Sequence, residues 1–193
     1  MTVKERQRSG GRSEQVRLAV GRAVLELLAE ERIAFTTVEV AERAGVNRRT
    51  IYRWWPTQDL LLAEALSQHA RDLDVPDLGS LADDVRAFAH RVALFAADPV
   101  DLTMTRIMVS GSHPEFNQAI IDHFAPIMAG WYEMLDRAVE RGDANQRHLP
   151  ETVINSLVSP LFLAPLTGGE ALIPARVDQV VDLILDAVGA VPR

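Results

Sequence analysis

The stretch TTVEVAERAGVNRRTIYRWWP, residues 36–56, constrains the fold more than any other part of the chain. Thr36 is followed three residues later by Glu39, which is the spacing of a capping box, so a helix is expected to begin near residue 37. Gly45 can adopt the left-handed conformation that stops a helix. The spacing therefore predicts a short helix that ends at this glycine.

A second short helix is expected immediately afterwards. Asn47 is a favourable N-cap for it and Pro56 must end it, which limits the helix to about residues 48–54. An apolar stripe at helical spacing predicts a longer helix before this pair, over about residues 13–31 with Ser13 as its N-cap. Two short helices joined by a tight glycine turn and braced by a longer one form a helix-turn-helix signature.

The rest of the chain keeps a helical rhythm, and no segment alternates apolar and polar residues as a half-buried strand would. Thr57 can cap a fourth helix that runs to about residue 73. Later helices are expected over about residues 80–98, 100–110, 114–142, 150–167 and 174–189. The predicted fold class is all-α, with an N-terminal three-helix helix-turn-helix domain joined to a C-terminal helical bundle.

Three regions are expected along the chain. Residues 1–12 form a flexible basic tail that contains a Gly-Gly pair, residues 13–74 form the helix-turn-helix domain, and residues 75–193 form the C-terminal domain. The stretch VPDLGS, residues 75–80, is the expected boundary because its proline and glycine interrupt helices.

Charge is distributed unevenly in this acidic chain of net charge −7. Residues 1–55 hold 11 Lys+Arg against 7 Asp+Glu, whereas residues 56–193 hold 9 against 20. A basic segment on an acidic protein predicts a localised surface for a polyanion. Without cysteine, disulfides and thiolate metal sites are excluded. No apolar run reaches the ~20 residues of a membrane span, and the N-terminus lacks an apolar signal core, so a cytoplasmic protein is expected.

The second short helix concentrates cations and rings on one side. Its polar arc carries Arg48, Arg49, Tyr52 and Arg53. Ile51 and Trp54 lie roughly opposite and can hold the helix against its neighbours. Arginine can grip guanine O6 and N7 in the major groove, and hydroxyl groups suit phosphate, so the pattern favours a DNA recognition helix. The alternative is a charged surface helix that is packed by its tryptophans.

The run TTVEVAERAGVNRRTIYRWWPTQDLLLAEAL resembles the DNA-binding segment of the TetR family of transcriptional regulators. The match covers about residues 13–66. It consists of a threonine pair, a short helix that ends Ala-Gly-Val, a polar cap, and then Thr, an aliphatic residue, Tyr and an aromatic residue before the next helix. Beyond residue 75 only the rhythm of helices is similar.

The resemblance implies a set of DNA contacts, with bases addressed by the start of the recognition helix and phosphates by its flanks. The implied set is Arg12, Thr36, Thr37, Asn47, Arg48, Arg49, Thr50, Tyr52, Arg53 and Trp54. Trp55 takes the place of the family's buried aromatic residue. Gln58 departs from the pattern, since a lysine that meets phosphate is usual there. The absence of this lysine should weaken non-specific affinity for DNA or leave more of the phosphate binding to Arg12 and Lys4.

The resemblance also implies a homodimer that binds a near-palindromic operator, with half-sites about 34–36 Å apart, and represses transcription. The last two helices are the candidate dimer interface. Their apolar stripes are Val153, Leu157 and Leu161, and Val177, Val181, Ile184 and Leu185. The alternative is that these stripes belong to the core of a single chain.

An effector pocket is expected within residues 80–168, because the family binds small molecules in its C-terminal domain. Its candidate walls are Met104, Met108, Phe116, His123, Met128, Trp131, Met134 and Phe162, which suit a largely hydrophobic compound. Its candidate polar groups are His90, Arg106, His113, Asn117, His123 and Asn155. For each of these residues, a role in core packing or at the surface is the competing interpretation. Pro126 and Pro160 are candidates for helix repositioning or for static kinks.

Two other classes of function compete with a ligand-responsive regulator. A helical enzyme would need a catalytic motif, yet the five histidines form no HxxxH pair and the chain has neither a GxSxG elbow nor a P-loop. We therefore predict no catalysis, no cofactor and no metal. An effector-independent DNA-binding or helical interaction protein is the remaining alternative, and it is distinguished by the absence of any stabilising ligand.

Overall fold

The computed structural model describes residues 4–70, 73–145, 147–168 and 173–189. Within these ranges the chain is all-helical, which confirms the predicted fold class. In chain order the helices are α1 (Lys4–Ala29), α2 (Thr37–Ala44), α3 (Arg48–Trp54), α4 (Gln58–His69), α5 (Leu81–Ala96), α6 (Pro99–Ser110), α7 (Pro114–Arg141), α8 (Pro150–Gly168) and α9 (Pro174–Ala187). None of the helices in the described ranges is long and apolar enough to cross a membrane.

The first helix is longer than its sequence indicates. It begins at Lys4, so the prediction that residues 1–12 precede it as a flexible tail is wrong for residues 4–12, and Met1–Val3 lie outside the described residues. The helix continues through the Gly10-Gly11 pair. A glycine costs about 1 kcal/mol relative to alanine in a helix interior, and the Lys, Glu, Arg and Gln residues around the pair favour helix enough to continue through it.

The N-terminal compact unit comprises residues 1–71. Helix α1 packs against α4 and α2, and α2 packs against α3. The apolar core of this unit is Val20, Val24, Leu27, Leu28, Phe35, Val40, Ile51, Trp55, Leu61, Leu62 and Leu66. At its edge the Arg17 guanidinium pairs with Glu64 at 3.0 Å and the Gln68 amide donates to the Arg17 carbonyl at 2.8 Å, so α1 and α4 are joined by polar contacts as well.

The C-terminal compact unit comprises residues 72–193, so the division falls slightly before the stretch 75–80. Helix α5 packs against α8, α9, α7 and α6, and α8 also contacts α6, α7 and α9. Phe88 and Trp131 meet edge to face at 4.9 Å between ring centroids in this core. Because α5 and α8 touch most of the other helices, they form the centre of the bundle.

Three arginines of α5 and α7 attach the segment before α5 to the bundle. These contacts are Arg91 Nη1 to Asp74 Oδ1 at 2.7 Å, Arg137 Nη2 to the Pro76 carbonyl at 3.0 Å, and Arg141 Nη1 to Asp77 Oδ1 at 3.6 Å. The Arg141 guanidinium also reaches the buried carboxylate of Asp84, which accepts a hydrogen bond from the Leu78 N–H. The segment is therefore part of the C-terminal unit rather than a free connection.

The apolar stripes of α8 and α9, which were predicted to form the dimer interface, pack against other helices of the same chain. The residues of these stripes that are buried are Val153, Leu157, Leu161, Val177, Val181 and Ile184, and Leu185 is half-buried. Their helices pack against α5, and α8 also against α6 and α7. A side chain that its own chain has covered has little area left for a partner, so the buried residues favour the alternative of an intrachain core, and the assignment of these stripes to a dimer interface stays a prediction.

Candidate nucleic-acid interface and ligand cavity

The turn between α2 and α3 has the geometry that its sequence predicts. The Thr36 hydroxyl accepts from the Glu39 N–H at 3.2 Å and the Thr36 N–H donates to the Glu39 carboxylate at 2.8 Å, which completes the capping box. Gly45 is left-handed, with φ of 64°. Asn47 Oδ1 accepts from the Arg49 N–H at 2.8 Å. These local contacts confirm the two predicted helix starts and the glycine stop.

Helix α3 has a buried side and an exposed side. Ile51 is completely buried, and Trp55 at the end of the helix is 5% exposed. On the other side Tyr52 is 51% exposed, and the cationic side chains of Arg48, Arg49 and Arg53 are exposed as well. Ile51 and Trp55 therefore anchor the helix, and its arginines face away from the core of its own unit.

The arginines of this exposed surface differ in their partners. The Arg48 guanidinium forms an ion pair with the exposed carboxylate of Glu42 in α2. The Arg53 guanidinium lies over the ring of half-buried Trp54, 5.7 Å from its centroid, which is a cation–π distance. Within the described residues, the Arg49 side chain has no hydrogen-bond or ion-pair partner. Arg49 is thus the cation of α3 most available to a polyanion.

The remaining predicted contacts on α1, α2 and α3 lie at or near the surface. Arg12 and Asn47 are exposed, and Thr37 and Thr50 are half-buried. Thr36 is exposed, but its hydroxyl also donates to the Glu39 carboxylate at 3.0 Å, so a phosphate contact through this hydroxyl would have to displace Glu39.

The Glu39 carboxyl is held ionised by its neighbours. Hydrogen bonds from the Thr36 N–H and hydroxyl, and then one from Arg32, lower its pKa. Arg32 is therefore engaged by Glu39, just as Arg43 is engaged by Glu30 at 2.7 Å. These pairs reduce the number of cations that this unit offers to a polyanion.

Gln58 has a role that the sequence does not reveal. Its amide Nε2 donates a hydrogen bond to the carbonyl of Ile33, in the loop before α2. The side chain at this position therefore ties the start of α4 to that loop. A lysine here could carry charge to a phosphate, whereas this glutamine is occupied within its own unit.

The C-terminal unit contains a cavity of about 290 Å³ between α5, α6, α7 and α8. Five of the eight residues predicted as walls of the effector pocket line it. They are Met104, Met108, Met128, Trp131 and Phe162. The other residues that line the cavity were not predicted, and they are Leu73, Phe95, Asp101, Thr105, Val109, Ile120, Ile121, Phe124 and Val158. Aromatic rings dominate one side, where Phe95 lies 6.1 Å from Phe124 and 6.3 Å from Phe162 between centroids.

The other predicted wall residues lie elsewhere. Phe116 is half-buried outside the cavity lining, and Met134 is completely buried in the core. His123 is half-buried beside Phe124, 5.3 Å between ring centroids, and burial lowers its pKa. The helical wheel identifies the apolar side of α7, but the bundle divides that side between the core and the cavity.

None of the six predicted polar groups lines the cavity, so this part of the prediction is wrong. His90 Nε2 lies 2.9 Å from Asp178 Oδ1, and Asn117 Nδ2 donates to the Met108 carbonyl at 3.2 Å. The others that lie outside the lining are Arg106, His113, His123 and Asn155. Asp101 and Thr105 are the polar residues that line it instead. Asp101 lies in the first turn of α6, where an acidic residue is ordinary, and Thr105 lies in the middle of that helix with no local motif to mark it.

Comparison with known proteins gives a consistent result. A family model described as the tetracyclin repressor-like C-terminal domain matches residues 75–184, which is more than half of the chain. The HTH-type transcriptional regulator YdeS of Bacillus subtilis is 26% identical over 180 residues, covering 91% of this chain and 89% of that protein. The HTH-type regulator AqdR of Rhodococcus erythropolis is 28% identical over 149 residues, covering 76% and 72%.

Solved structures agree in fold. The TetR family transcription regulator SCO0332 superposes with a TM-score of 0.70 at 27% identity, over 92% of this chain and all of that one. The flavonoid-responsive regulator FrrA superposes with a TM-score of 0.67 at 22% identity, over 90% and 97%. Regulators of this family bind DNA and small molecules and act as dimers, and they are not enzymes. This chain belongs to the TetR family of DNA-binding transcriptional regulators.

Proposed function

We propose that this protein is a ligand-responsive repressor. It binds a near-palindromic operator as a homodimer in the cytoplasm and is released by a small, largely hydrophobic effector. The observation that supports the proposal is that α3 has one buried side and one exposed side. Ile51 is buried, whereas Arg48, Arg49 and Arg53 are exposed. A short helix that is anchored on one side and cationic on the other can enter the major groove.

Arg49 is assigned the principal base contact. Its guanidinium has no partner within the described residues, so it meets a guanine without first breaking an ion pair. Arg48 joins it after leaving Glu42. The half-buried Thr50, beside Arg49 on the same helix, completes the base-reading group.

The phosphate contacts are assigned to the residues that flank the base-reading group. These are Arg12, Thr36, Thr37, Asn47, Tyr52, Arg53 and Trp54. Contacts of this kind position a protein on the duplex and carry no sequence information directly. Tyr52 and Arg53 are the most exposed of this set on α3 itself, so they are the first candidates for the backbone of the bound strand.

The homodimer is assigned to the outward faces of α8 and α9, because their inward stripes are already buried. Leu163 of α8 is 45% exposed and Leu183 of α9 is 69% exposed. Exposed leucines on the last two helices offer apolar area that a second copy can cover. The operator of such a dimer would have half-sites about 34–36 Å apart.

The response to an effector is assigned to the cavity and to the segment that follows α4. Leu73, at the beginning of the C-terminal unit, lines the cavity. Helix α7 contributes Trp131 to the same cavity and holds Pro76 and Asp77 through Arg137 and Arg141. A ligand that shifts α7 or Leu73 therefore moves the polypeptide that leads back to the helix-turn-helix unit. A ligand that weakens DNA binding must itself be weakened equally by DNA.

A mobility-shift titration against the region upstream of the protein's own gene tests the proposal. We expect a discrete complex whose affinity falls steeply as salt rises, because phosphate contacts release counterions. The complex should contain two copies of the chain on one operator. Failure to bind any duplex at low ionic strength, or binding that does not change with salt, would overturn the assignment of α3 as a recognition helix.

A further inference from the structure

We propose that the effector is a compact, uncharged molecule with an aromatic or aliphatic body and one hydrogen-bond acceptor, and that this acceptor pairs with the indole N–H of Trp131. This inference deepens the proposed function and rests on the cavity being the effector site. It concerns the chemical class of the ligand, which is set by what the cavity walls offer and by what they lack.

The first argument is the charge of the walls. No Lys, Arg or His side chain lines the cavity within the described residues, and the ionisable residue that does line it is Asp101, which is 2% exposed. A ligand carboxylate or phosphate would lose its hydration without gaining a cation, and it would share the site with an acidic side chain. The walls therefore select against anions.

The second argument is size and shape. A volume of about 290 Å³ lies just below the range of about 300–1,000 Å³ for small-molecule pockets, so the occupant is compact. The rings of Phe95, Phe124, Trp131 and Phe162 can face a planar apolar body. The methionines Met104 and Met128 add flexible apolar surface that can adapt to its outline.

The third argument is a donor without a partner. Trp131 is 4% exposed and lines the cavity, and its Nε1–H is buried without a hydrogen-bond partner within the described residues. A buried donor of this kind is costly, and a ligand acceptor that reaches it removes that cost. Because Nε1 is itself buried, contact with a ligand requires neighbouring side chains to shift, and flexible methionines make such a shift easier. The gain is available only to a ligand that carries an acceptor.

Three naphthalene probes of similar shape test these arguments on the full-length protein without DNA. They are 2-acetylnaphthalene, which has an acceptor, 2-ethylnaphthalene, which has none, and 2-naphthoate, which is an anion. Binding is measured by equilibrium dialysis. We expect one molecule of the ketone per chain, weaker binding of the hydrocarbon at the same site, and no measurable binding of the naphthoate. Equal affinity for naphthoate and ketone, or no binding of any probe, would overturn the inference.

The variant Trp131→Phe removes the donor and keeps an aromatic wall. We expect it to bind the ketone about tenfold more weakly while its affinity for 2-ethylnaphthalene changes little, since a hydrogen bond contributes about that factor. Tyr132→Phe, next to Trp131 on α7 but outside the cavity lining, serves as the matched control and should bind all probes as the wild type does. Equal losses for both neutral probes in Trp131→Phe would contradict the pairing.

A second variant tests the inference independently, in case Trp131→Phe does not fold. Thr105 lines the cavity and is half-buried, so Thr105→Lys places a cation in the wall. We expect this variant to gain 2-naphthoate binding by tenfold or more, and no gain would count against the charge argument. Because these assays contain no DNA, a negative result leaves the mobility-shift test of the proposed repressor unaffected, and a protein that ignores DNA can still show the predicted probe selectivity.

Discussion

Arg48 and Glu42 form an ion pair across the glycine turn that joins the two short helices. Both side chains are well exposed, at 59% and 61%. Ion pairs between exposed groups contribute little to stability, about 0–1 kcal/mol, so DNA can displace this one at small cost. The carboxylate of Glu42 nevertheless lies beside the proposed base-reading side chains, where it repels phosphate and competes for Arg48.

Removing that carboxylate should strengthen DNA binding. We expect Glu42→Gln to bind operator and unrelated duplexes about two- to fivefold more tightly, because Arg48 no longer has to leave a partner worth up to about 1 kcal/mol. Glu133→Gln changes net charge equally on the exposed surface of the other unit and should have little effect. Fluorescence anisotropy with labelled duplexes provides the measurement, and weaker binding of Glu42→Gln would show that the pair pre-positions Arg48.

Arg49 should determine sequence preference. We expect Arg49→Ala to lower affinity for the operator by about 1–3 kcal/mol and to lose most of the discrimination at one base pair. Arg12→Ala should instead weaken binding to all duplexes and reduce the slope of log affinity against log salt by about 0.9, as the loss of one phosphate contact does. Selection from a randomised operator library separates the two results, and an equal loss on every sequence from Arg49→Ala would exclude it as a base reader.

Substitutions of Gln58 test what the absence of the family's usual lysine at this position does to DNA binding. We expect Gln58→Lys to steepen the salt dependence by about 0.9, because a lysine there can meet one more phosphate. It should also lose about 1 kcal/mol of folding free energy with the hydrogen bond to the Ile33 carbonyl. Gln58→Ala loses only the hydrogen bond, so its stability should fall without any change in the salt slope. A salt slope of Gln58→Lys equal to that of the wild type would show that position 58 does not approach the DNA.

The outward leucines should control assembly. We expect Leu163→Asp and Leu183→Asp to shift the protein from dimer to monomer in sedimentation equilibrium, because a charge in an apolar interface has no partner there. Leu94→Asp makes the same change at a side chain that is 77% exposed on α5, and it should leave the dimer intact. Dimers that persist in both variants of the last two helices would place the interface elsewhere.

The free energy of unfolding should depend on the protonation of His123 at mildly acidic pH. Burial lowers the pKa of His123 below the value of about 6.5 for an exposed imidazole, so the unfolded chain takes up the proton first. The neutral ring's contribution to stability is therefore fully present above about pH 6.5 and is lost as the pH falls from there through the lowered pKa. Urea unfolding at about pH 7.5 and 5.5 should show a smaller acid loss for His123→Gln than for the wild type, and His148→Gln, at an exposed histidine, should resemble the wild type.

The parts of the fold that the sequence predicts well are those that short-range contacts determine. Thr36, Glu39, Gly45 and Asn47 act on residues within a turn of themselves, so their spacing specifies the helix ends. The exposed side of α3 follows from the same local periodicity. Gln58 illustrates the limit, because its partner Ile33 lies 25 residues away and no pattern in the sequence connects the two.

Periodicity also cannot say what covers an apolar stripe. Leu157 and Val181 lie on regular helical stripes that suit a partner chain and a core equally, and only the packing of α8 and α9 on α5 decides between them. The cavity shows the same limit. Its methionines and two of its aromatic rings, Trp131 and Phe162, were predicted from the sequence, whereas Phe95, Phe124 and Thr105 required knowledge of how the helices are rotated against one another.

Leu73 lines the cavity and also lies at the beginning of the C-terminal unit. In the proposed mechanism, this one side chain contributes both to ligand selectivity and to the response that follows binding. A mutation there that accommodates a bulkier compound alters the signalling at the same time, so natural selection acts on both properties together. In the same mechanism, a change of ligand specificity that leaves the response intact is more easily made at a wall residue away from the start of the unit, such as Val158 of α8.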